Sequence, residues 1–443
     1  MTFRPSYRGI WGVSYPLIVA GISETVVEVT DTVFLAHYGI TELAAIGLAG
    51  AIYSLALALI LGLVDGIQIV IGRRAGEGRA GQIGRVFNQG LYLLLVAALA
   101  LTLIIKFALP GLTADLFASA DVHVAVDDYL QIYAFALLFH AVNLAYSAFY
   151  VGIARTRVLI GATVILAAIN ILLDYLLIFG HFGLPALGIR GAAIASLTAE
   201  VAVFGYLTLD VVRRRYVGSF GLLRFGRWDG DLSRLLARIS APVSLEALVE
   251  TARWFAFFLI IEQLGEDVLA KANIVFSIYA VLLIPIDGFS ETICSMVSNL
   301  IGQRRLPQIG LLMRRTILLA YGVLTPLLVA TLAFPEALLD LFSEDGVITS
   351  GTTASLFVVA AAASLAVPAE TAYSAVAGTG DTRAILVFQL LIATGVLGVA
   401  WYTALVLGLP LEYIWLSEVA GWAIALMVSV TWLKIGLWRQ LRV

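Results

Sequence analysis

Glu24, Glu28 and Asp31 recur at i, i+4 and i+7 inside an otherwise apolar stretch. That spacing sets three carboxylates on one face of a helix. Three like charges so close cannot all ionise cheaply, so at least one is expected to hold a proton near neutral pH. A group of that kind can trade its proton for a cation. Asn170 and Asp174 form a second set, one helical turn apart in another apolar stretch, and Ser196 sits in a third. Carboxylate, amide and hydroxyl oxygens suit Na+ as a hard cation, or a proton held in a hydrogen-bond network. Further ionisable groups lie in apolar stretches of the second half: Glu246, Glu250, Arg253, Lys271, Asp287, Glu291 and Glu370. Ionisable groups inside lipid are costly unless paired or hydrated, so each is a functional candidate. Glu250 with Arg253 or Lys271 reads equally as a buried ion pair, and Asp287 with Glu291 as part of a substrate path.

The elements that must position these groups follow from composition. The chain has 443 residues, 61% hydrophobic and 13% charged, with a mean hydropathy of +0.98. Soluble proteins carry roughly 25% charged residues. A water-soluble enzyme, a disordered chain and a fibrous protein are thereby excluded. A membrane-spanning helix needs about 20 mostly apolar residues. Twelve such segments can be marked, at 10–37, 42–71, 86–109, 124–150, 158–180, 188–212, 235–264, 267–301, 309–333, 351–377, 384–408 and 411–438. Helix is the default in lipid because it satisfies its own backbone hydrogen bonds. The alternating segments of about ten residues that a β-barrel needs are missing. The expected fold is all-α and polytopic, with 12 transmembrane helices.

Charge sets the expected orientation. One set of connections holds Arg4 and Arg8; Arg73, Arg74, Arg79 and Arg85; Arg155 and Arg157; Arg213, Arg214, Arg215, Arg224 and Arg227; Arg304 and Arg305; Arg383; and Lys434, Arg439 and Arg442. The alternate connections hold Asp115, Asp121, Asp127 and Asp128, then Glu266 and Asp267, then Glu336, Asp340, Glu344 and Asp345. The positive-inside rule then puts both termini in the cytoplasm of a multi-pass inner-membrane protein. The net charge of -3 adds little. The polar stretch RRRYVGSFGLLRFGRWDGDLSR at 213–234 reads as a cytoplasmic linker, with a short interfacial helix expected around Phe220–Trp228. It divides the chain into an N-lobe at 1–217, a linker at 218–234 and a C-lobe at 235–443. The N-terminal stretch has no small-residue cleavage site, so the first helix is expected to be retained. The single cysteine, Cys294, makes no internal disulfide and no cysteine metal motif exists.

With that orientation, depth follows from a rise of about 1.5 Å per residue. Asp31 and Asp174 each lie roughly 9 Å from the outer ends of the first and fifth segments, and Ser196 about 12 Å from that of the sixth. Three distant sequence positions are expected to fall in one layer.

The halves repeat. Tyr15–Pro16 aligns with Ala241–Pro242, Glu24 with Glu250, Gly39 with Gly265, and Gln82–Ile83–Gly84 with Gln308–Ile309–Gly310. Pro110, Asp115, Leu116 and Phe117 align with Pro335, Asp340, Leu341 and Phe342. The run from Ala145 to Ala148 aligns with that from Ala372 to Ala375, Thr156–Arg157 with Thr382–Arg383, and Gly191 with Gly421. The offset starts at 226 positions, from Glu24 to Glu250. Six helices per half is an even number, so the repeats are parallel, a design common among transporters. Across the alignment Asp31 faces Phe257, Asp174 faces Ala400 and Ser196 faces Leu426, so this polar layer belongs to the first half alone.

At this point the chain resembles the multidrug and toxic compound extrusion (MATE) transporters over essentially its whole length. The matching residues are Pro16, Asp31–Thr32–Val33 and His37–Tyr38–Gly39; Asn170 with Asp174; the run from Gly188 to Ala193; and Gly380–Asp381–Thr382. Asn273 and Asp287–Gly288–Phe289 look like the DinF branch, and Glu250, eight residues after Pro242, like the NorM branch. The resemblance implies cation coupling at Asp31, Asn170, Asp174 and Ser196. It also implies a second acid near Glu370, which lies about one turn from the NorM position. Additional coupling or substrate roles are expected among Glu24, Glu28, Glu250, Asp287, Glu370, Tyr146 and Tyr373; the two tyrosines could stack on aromatic cations. Pro16 could bend the first helix. His140 and Asn143 are further candidates to line a cavity.

The expected function is export of small organic cations and drugs, by rocker-switch exchange for H+ or Na+, with no cofactor and no nucleic-acid partner, as a monomer in the bilayer. An ATP-binding P-loop is missing from the sequence. The alternative is a flippase of lipid-linked oligosaccharide or lipid from the same superfamily, which the acidic intramembrane residues argue against. An intramembrane enzyme is disfavoured by the lack of a His/Glu metal motif, and a channel by acids that form no ring.

Overall fold

The computed structural model describes residues 3–113, 119–339, 352–436 and 438. Asp115, Leu116, Phe117, Asp340, Leu341, Phe342, Glu344, Asp345, Arg439 and Arg442 lie outside them. Long helices run in chain order: α1 (Tyr7–Tyr38), α2 (Ile40–Gly76), α3 (Ala80–Leu103), α4 (Ala120–Tyr133 and Ala136–Gly152, bent by 49°), α5 (Arg157–Phe179) and α6 (Ile189–Arg213). After them come α7 (Gly230–Glu262), α8 (Glu266–Gly302), α9 (Gln308–Ala333), α10 (Thr353–Gly378), α11 (Thr382–Trp401) and α12 (Leu416–Ile435). Ten of these are long and apolar enough to cross a membrane, and the bent α4 makes an eleventh. The twelfth, α7, is long enough but carries Arg234, Arg238, Glu246, Glu250 and Arg253 along its length. Large apolar side chains such as Phe107, Phe255 and Met427 stay exposed on the helices, as lipid-facing positions require. The chain is a multi-pass, all-helical membrane protein.

The chain packs as two compact units. The first is Val19–Ser244; the second is Thr2–Ile18 together with Leu245–Val443. The unit bounds fall inside α1 and α7, shortly after Pro16 and Pro242, rather than in the linker. Both breaks sit at the same repeat position, since Ile18 and Ser244 differ by the same 226 as Pro16 and Pro242.

Within each unit one glycine explains why the crossing helix packs so closely. On α2, a Cβ at Gly62 would come within 2.2 Å of the Ser244 backbone nitrogen, and Ser244 Oγ donates to the Leu59 carbonyl at 3.0 Å. On α8, a Cβ at Gly288 would come within 2.6 Å of Ile18, and Ser14 donates to Thr292 at 2.9 Å. Gly62 and Gly288 are repeat mates, again 226 apart. Small residues at helix contacts are how helices approach in lipid, where no hydrophobic force separates protein from solvent.

The linker differs from expectation. Its helix is the single turn Tyr216–Ser219, and residues 220–229 are irregular. Gly221 (φ +80°) and Leu223 (φ +58°) take left-handed backbone, which ends a helix there. The segment is nonetheless tied down by α3. Asn88 Nδ2 donates to the Gly221 and Arg224 carbonyls (3.1 and 3.0 Å), and Asn88 Oδ1 accepts from Leu223 N at 2.9 Å. Gln89 donates to the Arg227 carbonyl and Tyr92 to that of Gly226, each at 3.1 Å.

Candidate functional site

Three helices of the first unit bring the polar layer together. Asp31 comes from α1, Asn170 and Asp174 from α5, and Ser196 from α6; α5 and α6 pack along their lengths. All four side chains are buried, Asp174 at 0% exposure and Asn170 at 1%. The Asn170 amide is the hub. With its nitrogen toward the acids it donates to Asp31 Oδ1 at 3.0 Å and Asp174 Oδ2 at 3.1 Å, and its oxygen accepts from Ser196 Oγ at 3.0 Å. The reverse orientation would set a carbonyl against two carboxylates, which the donor inventory disallows.

The two carboxyl groups are also within hydrogen-bonding reach of one another. Two charged acceptors cannot make that contact without a proton or a cation between them. Asp174 Oδ1 is buried and has no hydrogen-bond partner. Among the described residues neither acid has an ion-pair partner. A shared proton, or a hard cation taking oxygens from both acids, the amide and the hydroxyl, would satisfy this set.

Sequence reasoning missed Tyr53, Tyr129, Tyr133 and Glu200 around the layer, though it named His140, Asn143, Glu24 and Glu28. The Tyr129 hydroxyl lies beside Ser196. Its ring sits 5.0 Å from Tyr133, which is 4.4 Å from Tyr53 on α2. Glu200 on α6, one turn beyond Ser196, takes a 2.6 Å contact from His140 Nδ1 and a 2.7 Å hydrogen bond from Asn143 Nδ2. A carboxylate in an apolar segment was the available signal for Glu200. Glu24 and Glu28 are exposed, and Glu24 has His140 and Glu200 as electrostatic neighbours.

The second unit arranges its acids differently. Arg253 is buried on α7, between Glu250 (Oε1 at 2.6 Å) and Glu418 on α12 (Oε1 at 2.5 Å), and its guanidinium lies 4.3 Å from the Trp254 ring. Gln389 on α11 donates to Glu250 as well. Lys271 pairs with Asp267 at 2.8 Å, so the partner of Glu250 is Arg253. Glu370 accepts from the Ser290 and Ser374 hydroxyls at 2.7 and 2.9 Å. Asp287 is exposed, with Glu370 and Glu250 as charged neighbours.

Of the repeat-related tyrosines, Tyr146 presents no open face, and Tyr373 is half-buried with its hydroxyl engaged. Tyr146 is buried, stacked on Phe87 at 5.5 Å and bonded to Thr208 Oγ1 at 3.1 Å. The Tyr373 hydroxyl donates to Glu246 at 2.9 Å. Pro16 is buried inside α1, which continues as a helix through it.

Comparison with known proteins agrees with this architecture. The MatE family model matches residues 16–176 and 242–415. A probable multidrug resistance protein NorM of Agrobacterium fabrum is 28% identical over 65% of this chain and 62% of its own length. The chain thus spans less than two thirds of that relative. The corresponding NorM of Deinococcus radiodurans is 27% identical over 94% of this chain and 93% of its own. Among solved structures, a MOP superfamily transporter from Pyrococcus furiosus superposes with a TM-score of 0.90 at 20% identity, covering 98% of this chain and 97% of that one. An outward-facing MATE family transporter of the MOP superfamily matches with the same score, identity and coverage. At that identity the superpositions speak for the twelve-helix, two-lobe fold.

Proposed function

Because the chain belongs to the MatE family, we propose that it exports small organic cations in exchange for inward-moving H+ or Na+. The observation that carries the reading is the buried pair of carboxylates joined by one neutral amide, with no ion-pair partner among the described residues. Such a pair binds one monovalent cation at a time. With the ion bound, the set holds a single net negative charge; once the ion leaves, a second like charge is buried beside the first at high cost. That cost ties ion release to entry of another cation.

The duplicated scaffold supports alternating access by rocking of the two halves. A membrane potential of 100 mV is worth about 2.3 kcal/mol per charge. One or two ions then sustain a concentration ratio of roughly tens to thousands, at about tenfold per 1.4 kcal/mol. The arginine-rich connections favour an inner-membrane placement with both termini in the cytoplasm.

The test is efflux of ethidium from proteoliposomes under imposed gradients. Ethidium is expected to leave when a proton or sodium gradient is applied and not otherwise. Replacing Na+ by choline at fixed pH then identifies the ion. Efflux unaffected by either gradient would overturn the exchange reading.

A further inference from the structure

The first unit holds a second constellation that the Asp31–Asp174 layer does not use. It lies on α4 and α6. His140 Nδ1 is 2.6 Å from Glu200 Oε1, while Asn143 Nδ2 bonds the other carboxylate oxygen at 2.7 Å and the Glu200 carbonyl at 3.0 Å. Glu200 is 6% exposed and Asn143 7%. Asn143 Oδ1 is buried beside the pair and has no hydrogen-bond partner. A 2.6 Å nitrogen–carboxylate distance is that of a charge-assisted bond, so His140 carries a proton when it makes this contact.

The surrounding charges are almost all acidic. Glu24 on α1 neighbours both His140 and Glu200, and Glu28 on the same helix neighbours Glu24. Tyr53 on α2 and Tyr133 in the first part of α4 neighbour Glu200. From α3 and α5, which also pack on this part of α4, no titratable group is among the electrostatic neighbours of His140. His140 is thus the sole group among these able to carry a positive charge, and it gains and loses that charge in the physiological pH range.

We propose that His140, Glu200, Asn143 and Glu24 form a second cation-exchange site, at which an organic cation binds Glu200 and displaces the proton of His140. No bond between heavy atoms changes; the imidazolium N–H breaks and an O–H forms on water. The imidazolium releases its proton to water, and the incoming cation takes over neutralisation of Glu200. The Asn143 amide accommodates the change, since its unpaired Oδ1 can accept from an N–H of the incoming cation while Nδ2 keeps its hold on Glu200. Delocalised or primary-ammonium cations bearing N–H groups fit this donor–acceptor set. The inference rests on the chain being a carrier of organic cations, but it concerns a site apart from Asp31 and Asp174.

Equilibrium binding of ethidium to the purified full-length protein, read by fluorescence anisotropy from pH 5.5 to 8, tests it without any gradient. In the wild type, affinity is expected to weaken on acidification by up to about tenfold per pH unit, the slope of one competing proton. His140→Gln should flatten that slope and bind tightly at acid pH. Glu200→Gln should weaken binding at every pH. As a second readout, proton release in weak buffer should be about one greater per bound ethidium in the wild type than in His140→Gln or His140→Asn. A slope and proton release that survive both His140 substitutions would overturn the proposal. A slope lost in Asp174→Asn instead would place the exchange at the other site. Ethidium that fails to bind the wild type at all would refute the substrate class, and this site with it.

Discussion

Both units bury carboxylates, but they neutralise them differently. In the second, Arg253 lies between Glu250 and Glu418 and is stacked on Trp254. Arginine does not give up its proton in proteins. The charge of that triad is therefore fixed, and its energy goes into tying α7 to α12. In the first, Asp31 and Asp174 share the neutral amide of Asn170. Among the described residues no fixed cation compensates them. On the proposed reading, a duplicated scaffold carries a permanent cation in one unit and a replaceable one in the other. The difference teaches that burial of an acid does not by itself mark a coupling site; the nature of its counter-charge does. Glu370, held by two serine hydroxyls, and the exposed Asp287 stand between these extremes.

The comparison can be broken most decisively at the acids of the first unit. Asp31→Asn and Asp174→Asn should each lower gradient-driven ethidium efflux by about a hundredfold or more, since each removes a charge on which exchange depends. The folded state should survive, because an amide fits the same space. In the second unit, Arg253→Met should instead attack stability, by about 3–5 kcal/mol, because it leaves Glu418 buried without its ion-pair partner and Glu250 held by Gln389. The combined variant Arg253→Met, Glu250→Gln, Glu418→Gln should recover most of that loss in a thermal-unfolding assay. If Arg253→Met unfolds nothing yet abolishes coupling, the fixed-charge reading of the second unit fails.

Smaller effects sharpen the symmetry of the scaffold. Gly62→Ala and Gly288→Ala should each cost about 1–3 kcal/mol by forcing apart helices already in contact. Equal losses would confirm that the repeat-related crossings are equivalent supports. The smallest effect lies in the linker, at Asp229. Its carboxyl accepts from the Leu232 N–H at 3.1 Å and from Arg85 at 2.7 Å. The Leu232 N–H first, and then the Arg85 guanidinium, hold that carboxyl below its usual range. Its contribution is therefore present above that range and is lost as pH falls through the folded value. Asp229→Asn should remove this acid-side loss and lower the unfolding temperature slightly at neutral pH.

Much of the first unit was legible in the sequence because polar groups inside apolar helices are few and the rise per residue is fixed. Asp31, Asp174 and Ser196 could be set at one depth from counting alone, and Asn170 came with Asp174 at one helical turn. The repeat was legible for the same reason, since Pro16 and Pro242, or Gly39 and Gly265, keep their spacing. Partners far apart in sequence were not. Arg253 finds Glu418 across 165 positions, and His140 finds Glu200 across 60. Those pairings depend on which helices neighbour one another, which no local pattern encodes. The linker misled because its aromatic and basic residues look amphipathic, whereas Gly221 and Leu223 turn the backbone and Asn88 captures it.

The central claim is that the charge compensating Asp31 and Asp174 is the ion that moves. Counter-ion flux measured together with ethidium efflux in the same proteoliposomes tests it most directly, as proton uptake by a pH dye and as radioactive sodium uptake. The account predicts that one of the two fluxes accompanies ethidium in the wild type and vanishes in Asp174→Asn, while Glu250→Gln retains it. Ion flux that persists unchanged in Asp174→Asn, still locked to ethidium movement, would contradict it.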